Sequence, residues 1–329
     1  MKAQILRSYG AKPDFAAADV PMPELKPGHV LIRVAATSVN PVDIKMRTLA
    51  PPFAPKLPAV MGMDVAGVVE AVGEGVTAFK SGDEVFGCPG GIADLPGALT
   101  EYMLADARLL APKPARLSMA EAAALPLVTI TAWEALFDRA RLKPGQHALI
   151  HAGTGGVGHV AVQLAKAHCA RVATTVSSPD KAKLAASLGA DDIINYREEG
   201  VDSYVARLTA GRGFDMVFDT VGGATLDASF QAAALYGTVV STNTRSSHDL
   251  SQLHAKGLTL SVVFMLLPLV TGQGRERHGE IMALAAALAE VGELRPVLAE
   301  RRFHFEEIAK AQQYLESGKA VGKVVLEIR

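Results

Sequence analysis

The segment Gly153-Thr154-Gly155-Gly156-Val157-Gly158 constrains this chain more than any other. It fits the spacing G-x-G-x-x-G. It directly follows a short apolar run, HALIH (147–151), and it opens an amphipathic stretch, GVGHVAVQLAKAH (156–168). Spacing alone is weak evidence, because glycine-rich turns are common. A strand in front and a helix behind supply the context that turns it into a pyrophosphate-binding βα turn. In such a turn the first glycine allows a tight bend, the second lets backbone approach a phosphate, and the third lets helix and strand pack closely. The helix N-terminus then offers N–H donors and the positive end of its dipole. A purely structural strand–turn–helix corner is the plain alternative.

The surrounding sequence supports a parallel sheet. RVATTV (171–176), DIINY, FDMVFDT (214–220) and GTVVSTN (237–243) read as strands, separated by helical patterns such as DKAKLAASLG (180–189). Strand–helix repetition with short connections means parallel strands wrapped by helices. Upstream the texture differs. Val30, Ile32 and Val34 alternate with Leu31 and Arg33, and nine prolines between positions 13 and 58 leave no room for a long helix. Ser118, with Glu121 three residues later, is a helix-start signature. After about residue 266 the α/β rhythm stops, and RRFHF and KVVLEI read as strands that need the N-terminal sheet. The expectation is an α/β chain: a β-rich domain of residues 1–122 and 266–329 around a doubly wound, dinucleotide-binding domain of residues 123–265.

Composition excludes several functions. The 329 residues carry 33 Lys+Arg against 34 Asp+Glu, so there is no basic excess for a nucleic acid or an anionic membrane. Two cysteines, Cys88 and Cys169, cannot form a disulfide framework or a four-cysteine zinc lobe. The apolar run Val262–Val270 is far shorter than the ~20 residues of a membrane span, and MKAQILRSYG has no apolar signal core. A soluble, cytoplasmic protein is expected.

The residue at the tip of the second strand discriminates between dinucleotides. An acid about 20 residues beyond the first glycine holds the ribose hydroxyls of NAD. Here the tip residue is Ser177, 177 − 153 = 24 positions on, and Lys181 follows four residues later. A hydroxyl removes the carboxylate that would repel a 2′-phosphate, and the lysine supplies charge, so NADP(H) is the expected cofactor. The rival acid, Asp180, stands where the next helix begins and is read as its cap.

HAGTGGVGHVAVQLAK, the upstream PLVTITAWEAL, the downstream DDIINYREE and the closing GKVVLEI together resemble the zinc-independent quinone oxidoreductases. These are a group of the medium-chain dehydrogenase/reductase superfamily with zeta-crystallin among its relatives. The resemblance runs over nearly the whole chain and implies a GroES-like catalytic domain split around a Rossmann domain. Zinc-dependent members carry a Cys-His pair followed by an Asp, and then a Gly-His-Glu. In this chain Asn40-Pro41-Val42-Asp43 and Gly62-Met63-Asp64 stand there, so Asn40 replaces a thiolate and Met63 an imidazole. An amide and a thioether are poor zinc ligands, and no metal is expected.

The resemblance also implies site residues. Asn40 and Asp43 are the catalytic candidates, and Thr131 borders the nicotinamide. Ser177, Lys181 and Tyr196 surround the 2′-phosphate and adenosine. Asn243 and Lys323 complete the cofactor set with Gly153, Thr154, Gly155, Gly156, Val157 and Gly158. Each has a plainer alternative: Asn40-Pro41 as a turn, Asp43 as a helix cap, Thr131 as core, and Tyr196 and Lys323 as surface residues. Three functions stay open: an NADPH-dependent quinone reductase, an NADPH-dependent reductase of enones or enoyl compounds, and a crystallin-like NADPH-binding protein with little turnover. The partners expected are a small-molecule quinone or enone and a second copy of the chain. The nucleophile motif G-x-S-x-G is absent, so the sequence gives no support to a hydrolase.

Overall fold

The computed structural model describes residues 1–328 and divides into two compact units. One unit comprises residues 1–130 and 266–329, and the other residues 131–265. The first cut falls later than the expected 122 because the helix Met119–Ala123 and the first half of the helix Pro126–Trp133 belong to the β-rich unit. The helix Met119–Ala123 lies on the strands His29–Val39 and Val65–Val72, and the Leu127 N–H donates to Asp64 Oδ1 at 2.8 Å.

Among the described residues the β-rich unit contains a seven-stranded sheet whose spine is the long strand His29–Val39. It pairs antiparallel with Val65–Val72, Tyr102–Asp106 and the C-terminal Val324–Glu327. The closing KVVLEI segment therefore does return to the N-terminal sheet. RRFHF contributes only the two-residue strand Phe303–His304, parallel to Val324–Glu327. Val30, Ile32 and Val34 are fully buried, as the period-two pattern requires.

The helix Pro41–Leu49 fits between the prolines because Pro41 occupies its first turn, where a missing N–H is tolerated. Arg47 anchors its far end. This fully buried guanidinium donates to Gly10 O, Ala11 O and Gln312 Oε1 at 2.6–2.7 Å and to Glu316 Oε1 at 2.9 Å. It ties the helix to Ile308–Glu316. Ser118 caps its helix as expected, in a reciprocal pairing with Glu121. That helix ends at Ala123, and a second begins at Pro126, whose ring disfavours helical backbone at the residue before it.

The second unit holds a six-stranded, all-parallel sheet. Its strands are, in spatial order, Asp192–Asn195, Arg171–Val176, His147–Ile150, Phe214–Asp219, Ala233–Ser241 and Thr259–Val262. Numbered along the chain this is 3-2-1-4-5-6, the doubly wound dinucleotide-binding order. The order reverses between His147–Ile150 and Phe214–Asp219, and the glycine segment leaves the sheet at that point. A core of Leu149, Ala173, Ile194, Phe214, Val217, Phe230 and Val239 closes the sheet against its helices.

Candidate functional site

The glycine segment is built as the sequence predicts, and the three glycines answer to different constraints. A Cβ on Gly153 would lie 2.0 Å from Thr174 Oγ1, and one on Gly158 would lie 2.1 Å from Ala152 O. Both glycines are dictated by packing inside the unit. A Cβ on Gly155 would meet only Ala152, with the carbonyl oxygen at 3.2 Å. Gly155 is the residue before the helix Gly156–Ala167, where a phosphate meets the helix N-terminus. The loop is secured beneath by the next strand. Thr175 Oγ1 accepts from the Ala152 N–H at 3.0 Å, and Thr174 Oγ1 donates to Ile150 O at 2.6 Å. Ala152 itself is held in the left-handed region at φ 53°. His151 is buried there, and desolvation lowers its pKa to about 4, so the imidazole beside the loop is neutral.

Ser177 and Lys181 meet just beyond the strand Arg171–Val176, with Lys181 Nζ donating to Ser177 Oγ at 3.2 Å. Both are partly exposed. The helix that follows is capped by Ser178, whose hydroxyl accepts from Lys181 N, and not by Asp180. Asp180 sits in the exposed first turn. The serine wins because the cap position precedes Pro179, and Asp180 is already inside the helix. Tyr196 follows the neighbouring strand Asp192–Asn195 and is 56% exposed. Asn243 lies just past Ala233–Ser241, and its Nδ2 donates to Val221 O at 2.9 Å. The organiser of this corner is a residue the sequence did not single out, Asp219. Its carboxylate accepts from the N–H groups of Val221 and Gly222 at 2.9 and 2.8 Å and from Ser241 Oγ at 2.7 Å. An acid directly after the apolar run Met216–Phe218 was the available signal. Thr131 is buried in the helix Pro126–Trp133.

In the β-rich unit the catalytic candidates form a buried polar knot. Asn40 and Asp64 are fully buried and Lys323 is 3% exposed. Lys323 Nζ donates to Asn40 Oδ1 and lies 3.5 Å from Asp64 Oδ2. The same Asp64 oxygen accepts from Asn40 Nδ2 at 2.8 Å and from Ser38 Oγ. A lysine can only donate and a carboxylate can only accept, so the Asn40 amide has one allowed orientation. This corrects the surface alternative for Lys323, which is buried. The Asn40 oxygen and amide nitrogen each take one partner in the knot, which fixes how the amide is turned. Asp64, noticed in the sequence only as the neighbour of Met63, holds the knot together.

Asp43 lies at the third position of the helix that Asn40 caps, and its Oδ2 accepts from the Asn40 N–H at 2.8 Å. The helix-capping alternative is therefore what the structure displays. Its other oxygen is buried without a hydrogen-bond partner. Desolvation raises the pKa to about 7, against the Asn40 hydrogen bond, with Asp64 adding to the rise and Lys323 opposing it.

The donors at the lost ligand positions do not suit zinc. Asn40 is tied to Lys323 and Asp64, Met63 is fully buried, and an ammonium already neutralises the nearby carboxylate. Burial, reinforced by Asp64 and Asp43, pushes the Cys88 thiol well above its usual pKa and so disfavours the thiolate a metal would need. The glycine loop and the Ser177–Lys181 tip, in contrast, fit a phosphorylated dinucleotide.

Comparison with known proteins agrees with this architecture. The family model "Alcohol dehydrogenase GroES-like domain" matches residues 26–115, and "Zinc-binding dehydrogenase" matches residues 188–326. The quinone oxidoreductase of Lama guanicoe is 31% identical over 95% of this chain and 92% of its own. A 2-methylene-furan-3-one reductase of Solanum lycopersicum is 36% identical over 99% of this chain and 79% of its own. Among solved structures, an alcohol dehydrogenase superfamily protein from Novosphingobium aromaticivorans superposes with a TM-score of 0.96 at 41% identity, covering all of both chains. A mycobacterial protein solved in complex with NADPH superposes with a TM-score of 0.87 at 32% identity, over 99% of this chain and all of its own. The chain belongs to the medium-chain dehydrogenase/reductase superfamily of oxidoreductases, in its quinone oxidoreductase group.

Two predictions follow from this geometry. Gly158→Ala should lower the melting temperature, because its Cβ meets backbone, while Gly155→Ala should melt within a few degrees of wild type. Gly155→Ala should nonetheless weaken dinucleotide binding about tenfold or more in a fluorescence titration. Unchanged affinity would remove Gly155 from the site.

The second concerns pH. The folded pKa of Asp43, about 7, lies above its unfolded value near 3.8, so its favourable contribution is complete below pH 3.8 and is lost as pH rises through 7. Asp43→Asn removes this loss. Its unfolding free energy relative to wild type should increase between pH 5 and pH 8, by up to a few kcal/mol. A constant or falling difference in denaturant titrations would refute the assignment.

Proposed function

We propose that this chain is an NADPH-dependent reductase of quinone-type acceptors that works without zinc. The observation that carries the cofactor choice is the Ser177–Lys181 pair, a hydroxyl and an ammonium at the strand tip where an NAD site carries an acid. The relative from Lama guanicoe supports the acceptor class. When bound, NADPH supplies a hydride to an electrophilic acceptor, which needs no Lewis acid to polarise it. In this reading the N-terminus of the helix Gly156–Ala167 binds the pyrophosphate and Ser177 and Lys181 hold the 2′-phosphate. Tyr196 and Asn243 border the cofactor from the neighbouring strand ends. Asn40, Asp64 and Lys323 brace the start of the helix Pro41–Leu49, and Asp43 is a proton-holding group at that start. Thr131 keeps its place beside the nicotinamide as an expectation of family position.

A second reading, reduction of the alkene of an enone, is favoured by the higher identity to the tomato 2-methylene-furan-3-one reductase. One steady-state screen tests both. NADPH and NADH are each offered with simple quinones and with enones, before and after exhaustive chelation. NADPH should be preferred about tenfold or more in kcat/KM, since a charge-assisted hydrogen bond contributes roughly 1.5–3 kcal/mol. Ser177→Asp should shift preference toward NADH, and chelation should change nothing. Equal or reversed cofactor preference sinks the NADPH assignment, and activity lost to chelation but restored by zinc sinks the metal-free one. Turnover of enones but not quinones selects the second reading.

A homodimer is part of the same proposal. Thr259–Val262 is an edge strand with Val262 exposed, and Leu235 and Tyr236 in the adjacent strand are 67% and 85% exposed. An open edge beside exposed apolar side chains favours pairing with another copy. Light scattering at micromolar concentration should give twice the 34.5 kDa chain mass, and a single-chain mass would refute it.

A further inference from the structure

The dinucleotide-binding unit contains a second arrangement of reactive groups that the proposed reduction does not use. His248 lies in the segment between the strand Ala233–Ser241 and the helix Ser251–Ala255. Its Nδ1 is 2.7 Å from Asp227 Oδ1, and its Nε2 is 2.6 Å from Ser246 Oγ. A carboxylate accepts and does not donate, so Nδ1 carries a proton, and in the neutral ring Nε2 presents its lone pair to the serine hydroxyl. Asp227 and Phe230 are three residues apart on the helix Ala224–Ala232 and so share a face. From that face the carboxylate fixes the ring edge, and the Phe230 ring meets the imidazole edge-on at 6.4 Å. The imidazole side chain is only 8% exposed, whereas Ser246 is exposed.

A hydroxyl within hydrogen-bond reach of a base that a third group orients is the structural signature of an activated nucleophile. We propose that Ser246, His248 and Asp227 form a reactive-serine site that is acylated by small activated esters, those with a phenolate leaving group. The Ser246 oxygen attacks the ester carbonyl carbon, and its proton passes to His248 Nε2. The bond from the acyl carbon to the phenolate breaks as the serine–acyl bond forms, and His248 returns its proton to solvent. Water, deprotonated by the same nitrogen, then releases the acid and restores the serine. Ester and water give acid and phenol, with no change of oxidation state. The site comprises nucleophile, base and orienting acid, so the leaving group must supply the remaining drive, which restricts the substrate class to activated esters. Neither local spacing nor a nucleophile motif announces it, because Asp227 is brought to His248 by the fold.

The test uses p-nitrophenyl acetate on the full-length protein, with release of p-nitrophenolate followed optically and the acetyl group located by peptide mass spectrometry. One acetyl per chain on Ser246 is expected, and release should be at least tenfold faster than in Ser246→Ala. Asp227→Asn keeps serine and imidazole but no longer fixes the ring tautomer, and should fall between the two. Thermal melts of each variant establish folding, and Ser246→Cys, which preserves a nucleophile, should retain acylation at position 246. Equal release by wild type and Ser246→Ala, or acetyl groups confined to lysines, would overturn the proposal. NADPH-dependent turnover is read separately, so either activity can fail without the other.

Discussion

Asp64 is the interaction on which the β-rich unit's candidate site depends. One oxygen takes hydrogen bonds from Asn40 and Ser38 with Lys323 alongside, and the other takes the backbone N–H of Leu127. Three segments distant in sequence converge on one carboxylate: the junction of a long strand with the helix after it, the start of a second helix, and the residue before the closing strand. A buried charge is expensive unless paired and hydrogen-bonded, and here every partner is fixed by the element that carries it. The pairing also fixes how the Asn40 side chain is turned. Its amide is oriented by an obligate donor on one side and an obligate acceptor on the other.

In the dinucleotide-binding unit the comparable constraint is steric. Gly153 and Gly158 leave room for Thr174 and for the Ala152 carbonyl, which lets the helix Gly156–Ala167 start directly over the strand His147–Ile150. Asp219 performs for the neighbouring strand ends what Thr175 performs for the loop: it satisfies backbone N–H groups that leave the sheet without partners. The backbone of the glycine loop and of the strand ends is thereby held in place from beneath by side chains whose own positions are fixed by the parallel sheet.

Legibility in the sequence followed the range of the interactions. The glycine segment, the Ser118–Glu121 cap and the strands 171–176 and 214–219 were read close to where they lie, because each rests on contacts within a few residues. The cap of the helix Pro179–Ser187 was misassigned by two residues, since Ser178 and Asp180 are both good capping types and only backbone geometry separates them. The break at Pro126 was hidden by an apolar pattern that continues across it. Lys323 and Asn40 were both named, but as residues of different purposes. Their contact spans 283 positions, and no local pattern reports it.

The sequence by itself determined the architecture and the cofactor class, because hydrophobic periodicity and a glycine-rich turn act locally and need no knowledge of the remaining fold. It also determined that a thiolate and an imidazole are missing at positions 40 and 63, which is a matter of residue identity. Only the tertiary structure decided what replaced them. An ammonium from the end of the chain neutralises Asp64 and braces Asn40. Buried charges must find partners wherever the chain can bring them, and that distance is set by strand pairing, here between Val324–Glu327 and His29–Val39, rather than by spacing in the sequence.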